Sequence, residues 1–165
     1  MSSLNFTNIL TQTVDELSES TSYKGLIRQH TDGNPLPSGA MLCEIVELAR
    51  AILFPGYFGN ATLNSRTINY HIGVNVERLM ELLTQQILAG LCSVEENSNQ
   101  AYGEELRLKA ANLSAQFIAQ LPQIRKLLAT DVEAAYNGDP AATSYGEVIS
   151  CYPAIKAISN YRIAH

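Results

Sequence analysis

A chain of 165 residues is long enough for one domain, which could bury roughly 70% of its unfolded-state surface, and 46% apolar against 16% charged residues is a globular balance, not a disordered one. The net charge of -5 argues against nucleic acid as a main ligand, since phosphate contacts need clustered Lys and Arg and the densest basic pairs here, Lys24 with Arg28 and Arg125 with Lys126, read as solvated helix faces. No apolar run reaches bilayer-spanning length, and the start Met1-Ser2-Ser3-Leu4-Asn5 lacks a basic segment with an apolar core, so neither a membrane span nor a secretory signal is expected and the cytoplasm is the expected location.

In chain order the sequence reads as helix throughout. Leu4, Phe6, Ile9, Leu10, Val14 and Leu17 fall on one stripe of a 3.6-residue period. After a polar break at residues 18–22, Tyr23 to His30 forms a short helix, which the turn cluster Thr31-Asp32-Gly33-Asn34-Pro35 ends. Ser38 is the expected N-cap of the next helix, with Leu42, Ile45, Val46, Ala49, Ile52 and Leu53 inward and Pro55-Gly56 as its stop. The aromatic stretch Phe54-Pro55-Gly56-Tyr57-Phe58-Gly59 is expected to be a loop tucked onto a core or into a neighbour.

The longest periodic run spans about 67–91, through Ile68, Ile72, Val76, Leu79, Met80, Leu83, Ile87 and Leu91. A polar connection follows at 93–100. Another helix runs from about Gly103 to Leu121, with Leu106, Ala110, Leu113, Phe117 and Leu121 inward. Pro122 is expected in the first turn of a further helix, with the stripe Ile124, Leu127, Leu128, Val132 and Ala135 and its end at Gly138-Asp139-Pro140. Short helices over about 145–150 and from Pro153 to the end complete the chain. No strand alternation or internal repeat is present. The fold class is therefore all-α, a bundle-like multi-helix arrangement over one domain, 1–165.

Local motifs carry little chemistry. There is no P-loop and no G-x-G-x-x-G. His30, His71 and His165 lie far apart, and none has a carboxylate or histidine at chelating spacing, so no metal site is expected. Cys43, Cys92 and Cys151 lack C-x-x-C spacing and read as buried free thiols. On local physics alone Asp139 is a helix N-cap with Pro140 at the first helical position.

The final segment carries more. Asp131, Val132, Ala134, Asp139, Pro140 and Ala141, followed by Tyr152, Pro153, Ala157, Ile158, Tyr161, Arg162, Ala164 and His165, reproduce the pattern D-V-x-A-x-x-x-x-D-P-A then Y-P-x-x-x-A-I-x-x-Y-R-x-A-H. In this segment the chain resembles the amino-terminal helical domain of the serine O-acetyltransferases. The resemblance implies a helical domain ahead of a left-handed parallel β-helix of hexapeptide repeats. It implies homo-oligomers, as trimers or dimers of trimers, and transfer of acetyl from the co-substrate acetyl-CoA to L-serine, giving O-acetylserine for cysteine biosynthesis. It also implies O-acetylserine sulfhydrylase as a partner of the full enzyme.

The resemblance further assigns Asp139 to the serine site, accepting hydrogen bonds from the substrate ammonium, and treats His165 as packing and not as the general base. No six-residue repeat occurs in the chain. The base histidines, the acetyl-CoA groove and a carboxylate-binding arginine thus have no counterpart in it, and the chain by itself is expected to hold no catalytic residue and no cofactor, and to be inactive. The competing reading is a non-catalytic helical module for oligomerisation or partner binding.

Overall fold

A computed structural model describes residues 6–23, 36–59, 62–94 and 104–165. Of the expected helix over Tyr23–His30 only Tyr23 is described, and the rest of it and its turn at 31–35 lie outside the described residues. The chain divides into two compact units between Asn34 and Pro35. All the regular elements are helical, as the hydrophobic periodicity requires; among the described residues the only β pairing is an isolated bridge between Pro55 and Phe58.

The first unit holds helix α1 (Phe6–Ser18) and a 3-10 turn (Ser20–Tyr23). The turn falls in the polar break, where Ser22 Oγ donates to the Glu19 carbonyl at 2.7 Å. Helix α1 buries none of its residues, and its apolar stripe stays exposed, from Phe6 at 73% to Leu10 at 67%.

The second unit contains α2 (Gly39–Leu53), α3 (Ile68–Val94), α4 (Glu104–Gly138), α5 (Tyr145–Cys151) and α6 (Pro153–Ala164). Ser38 is the N-cap of α2, its hydroxyl accepting from the Met41 N–H at 3.4 Å. The Ser38 N–H donates to Gln86 Oε1 at 2.7 Å, which ties the start of α2 to α3. Ile45, Ala49, Ile52 and Leu53 turn inward as expected, but Leu42 is exposed. On α3 the buried line is Leu79, Leu82, Ala89 and Cys92. The expected Ile72, Val76 and Leu83 pack only partly against the core, so the inward face is rotated from the stripe of largest side chains.

The expected break at Pro122 is not there. Helix α4 runs unbroken for 35 residues with Pro122 inside it. Its buried residues Ala110, Ser114, Leu121, Ile124, Leu128 and Val132 form one continuous 3.6-period stripe across the proline. A mid-helix proline costs about 3 kcal/mol in a lost hydrogen bond and ring clash. Burying Leu121 and Ile124 on either side returns about 1.5–3 kcal/mol each, so packing outweighs the defect. Where the expected Leu113 would face in, the residue that does is Ser114. Its hydroxyl donates to the Ala110 carbonyl at 2.9 Å and accepts from Thr84 of α3 at 3.1 Å, so the buried oxygen is satisfied.

Two arginines fasten the end of α2. Arg50 is 2% exposed. Its guanidinium donates to Glu47 Oε1 at 2.6 Å and to Asn160 Oδ1 of α6, and lies 5.8 Å from the centre of the Phe58 ring. Arg125 of α4 donates to the Ile52 carbonyl in the last turn of α2, where helix carbonyls lack intrahelical partners. The aromatic loop folds back onto this end, as expected, with Phe54 buried and its ring 6.0 Å from that of Phe58. Gly56 and Gly59 turn it with φ of 87° and 77°, and a Cβ on Gly59 would come within 3.1 Å of Ala51 Cβ.

Candidate functional site

The turn after α4 carries the candidate residue. Asp139 is not a helix N-cap, contrary to the local reading. The Ala142 N–H donates to the Asp139 carbonyl at 3.0 Å, which closes a β-turn with Pro140 at its second position. The next helix starts only at Tyr145, and Ser144 caps it, its Oγ accepting from the Glu147 N–H at 3.2 Å. Glu147 reaches back to Thr143, accepting from its hydroxyl at 2.6 Å and its N–H at 2.8 Å, a close relative of the capping box. Those two bonds, the hydroxyl's first, hold the Glu147 carboxyl below its usual range. The S-x-x-E spacing at Ser144 to Glu147 is a legible signal that the N-cap assignment to Asp139 overlooked.

With its backbone used by the turn, the half-buried Asp139 side chain is free to be held from both sides. Oδ2 accepts from the Tyr152 hydroxyl at 2.5 Å, and Oδ1 accepts from the Ala141 N–H at 2.9 Å. The tyrosine and then the amide hold the Asp139 carboxyl below the usual carboxylate range. Reciprocally, the bond to Asp139, followed by burial, pushes the Tyr152 hydroxyl up to about 12. An ionised carboxylate has about four acceptor positions, so two remain for a cationic ligand.

Helix packing sets this pair. Tyr152 is the residue before α6, where Pro153 takes the first helical position and the Tyr152 N–H donates to the Val148 carbonyl at the end of α5. Val148 and Ile155, both fully buried, anchor α5 and α6. The Tyr136 and Tyr145 rings, 4.6 Å apart, join the end of α4 to α5. Two other residues of the segment serve packing: Arg162 forks onto Asp131, with Nε–Oδ2 at 3.2 Å and Nη2–Oδ1 at 3.1 Å, and so bolts α6 to α4.

His165 is exposed at the end of α6, its ring stacked on Tyr161 with centres 5.2 Å apart. His71 stands edge-on to Tyr70, and His30 lies outside the described residues. Among the described residues no group of three or more His, Cys, Asp or Glu is placed to hold a metal ion, and no helix is long and apolar enough to cross a membrane. None of the cysteines forms a disulfide, but only Cys92 is buried. Cys43 and Cys151 are exposed. A separate apolar cleft of about 460 Å³ lies between α2, α4 and α5, walled by Leu53, Phe54, Val132 and Ile149, and Asp139 is not in its wall.

No protein-family model matches the chain. It is 41% identical over 133 residues to a curated protein of Synechococcus elongatus described as a plasmid serine acetyltransferase, a match covering 79% of this chain. The chain spans 42% of that relative's length. Identity at this level over most of a chain reflects common descent, and over these 133 residues the chain is a relative of that serine acetyltransferase.

Proposed function

We propose that the chain is the amino-terminal helical part of a serine O-acetyltransferase, which moves acetyl from acetyl-CoA to the L-serine hydroxyl to give O-acetylserine in cysteine biosynthesis. The 41% identity to the Synechococcus elongatus protein and the Asp131-to-His165 pattern support this reading. In this reading the groups that bind acetyl-CoA and take the proton from serine belong to a β-helix domain, and this chain brings the carboxylate of Asp139. The observation that carries it is that carboxylate: ionised, half-buried, held by one donor on each oxygen and still able to accept two more hydrogen bonds. An ammonium is its natural complement, and a charge-assisted bond there fixes the amino end of serine while the hydroxyl reacts elsewhere.

In the full-length protein, Asp139→Ala is expected to raise the serine KM by about 30-fold and leave the acetyl-CoA KM unchanged. An unchanged serine KM in a folded variant would sink the assignment.

A second role is compatible with the first. The exposed stripe Phe6, Ile9, Leu10, Val14 and Leu17 of α1 is an apolar face of the kind that a protein partner covers. It supports association with a protein surface; that the assembly is a homo-oligomer, a trimer or dimer of trimers, in the cytoplasm, with O-acetylserine sulfhydrylase as a heterologous partner, belongs to the proposal and rests on the resemblance alone.

A further inference from the structure

We infer that Tyr152 is a positioning residue for the serine site: its hydroxyl fixes the plane of the Asp139 carboxylate so that the two unused acceptor positions face the substrate ammonium. The inference rests on the reading of Asp139 as the ammonium acceptor and adds to it the residue through which that acceptor is oriented.

The geometry supports it in three ways. The Tyr152 hydroxyl lies 2.5 Å from Oδ2, within the range of a charge-assisted O–H···O⁻ bond. The Ala141 N–H holds the other oxygen at 2.9 Å. A carboxylate with one fixed donor on each oxygen cannot spin about its Cβ–Cγ bond without breaking both, whereas one held by Ala141 alone swings about that single contact. Third, Tyr152 and Asp139 are 13 residues apart in sequence and rest on different supports, the start of α6 and the turn ending α4. The α6 support is anchored by the fully buried Ile155, and the turn is closed by the Ala142 N–H on the Asp139 carbonyl at 3.0 Å. The tyrosine is also a permanent donor: its hydroxyl, pushed up to about 12, keeps its proton across the whole range in which a serine ammonium is charged.

The competing role for Tyr152 is a staple that joins α6 to the turn and matters only for folding. The two differ in which kinetic constant moves. We expect Tyr152→Phe in the full-length protein to raise the serine KM about fivefold, with the acetyl-CoA KM unchanged. Because Tyr152 acts through Asp139, the same substitution in the Asp139→Ala background is expected to add nothing further.

Tyr152→Phe with an unaltered serine KM, while Asp139→Ala raises it, overturns this inference and leaves the proposed function standing. Full additivity of the two substitutions overturns it too, because the tyrosine would then act independently of the carboxylate. If Asp139→Ala leaves the serine KM unchanged, the proposed function falls and the inference with it. One measurement needs no variant: NMR titration of the ring of Tyr152 in the full-length protein should show no deprotonation until close to pH 12, and a midpoint near pH 10 would mean that the pair does not form in solution.

Discussion

Helices α1 and α4 read alike in sequence and fare differently in space. Each repeats apolar residues at helical spacing. The stripe of α4 is buried from Ala110 to Val132, whereas that of α1 is exposed along its whole length, with Phe6, Ile9, Leu10, Val14 and Leu17 in the open. A periodic stripe thus specifies a face that favours cover, not what covers it. Leu128 is fully buried among the residues of the core, so Leu128→Ala is expected to destabilise the protein by about 2–5 kcal/mol. Leu10→Ala, at an equally apolar position, is expected to change stability by less than about 0.5 kcal/mol. Chemical denaturation of the two variants side by side tests the contrast. A cost above about 1 kcal/mol for Leu10→Ala would break it, and would mean that the face of α1 is covered in solution; light scattering on the same variant would then show whether the cover is another copy of the chain.

The sequence made the helical class legible because the spacings of Ile45, Ala49 and Ile52, and of Leu121, Ile124 and Leu128, are unambiguous. It misplaced what depends on competition between terms. Pro122 looked like a helix start since proline at a first turn costs nothing, and only the fact that the stripes before and after it are in phase reveals a single helix. Hydrophobicity favours Leu113 over Ser114 for the inward position, and the serine turns in because Thr84 meets its hydroxyl. Asp139 was legible as a residue of interest through the D-P-A pattern, but its partner was not: nothing local ties a tyrosine at 152 to a carboxylate at 139, since the contact is made by how α5 folds back between them. Arg50 and Asn160 meet for the same reason, across 110 residues of chain.

Pro122 sharpens the comparison between helices from the other side. Within one continuous α4, Pro122→Ala restores the missing N–H and relieves the ring clash, a gain of up to about 3 kcal/mol. The freer unfolded chain of the alanine variant offsets about 1 kcal/mol of it. The net expectation is a stabilisation of about 1–2 kcal/mol, read from the denaturation midpoint at constant slope. Were 122 instead the first turn of a separate helix, where proline is favoured, the change would be neutral or unfavourable.

The smallest expected effect distinguishes a packed contact from a solvated one within the second unit. Tyr152 has a folded value of about 12 against an ordinary 10.0, raised first by its bond to Asp139. A group whose folded value is raised stabilises the fold fully while it is protonated in both states, below about pH 10, and that contribution drains away as pH rises towards 12. Asp139 has the opposite sense: held below its ordinary 3.8, it contributes above that value, and the contribution is lost as acid protonates the folded carboxylate. The wild-type protein should therefore lose stability between pH 10 and 12 more steeply than Tyr152→Phe, whose other tyrosines titrate alike, so the difference curve isolates the pair. Water reaches the pair, so its slope is shallow beside the loss from opening the core at Leu128. Parallel curves for wild type and variant over that interval would show that the hydroxyl and the carboxylate are not joined in solution, and Asp139 would then be held by the Ala141 amide alone.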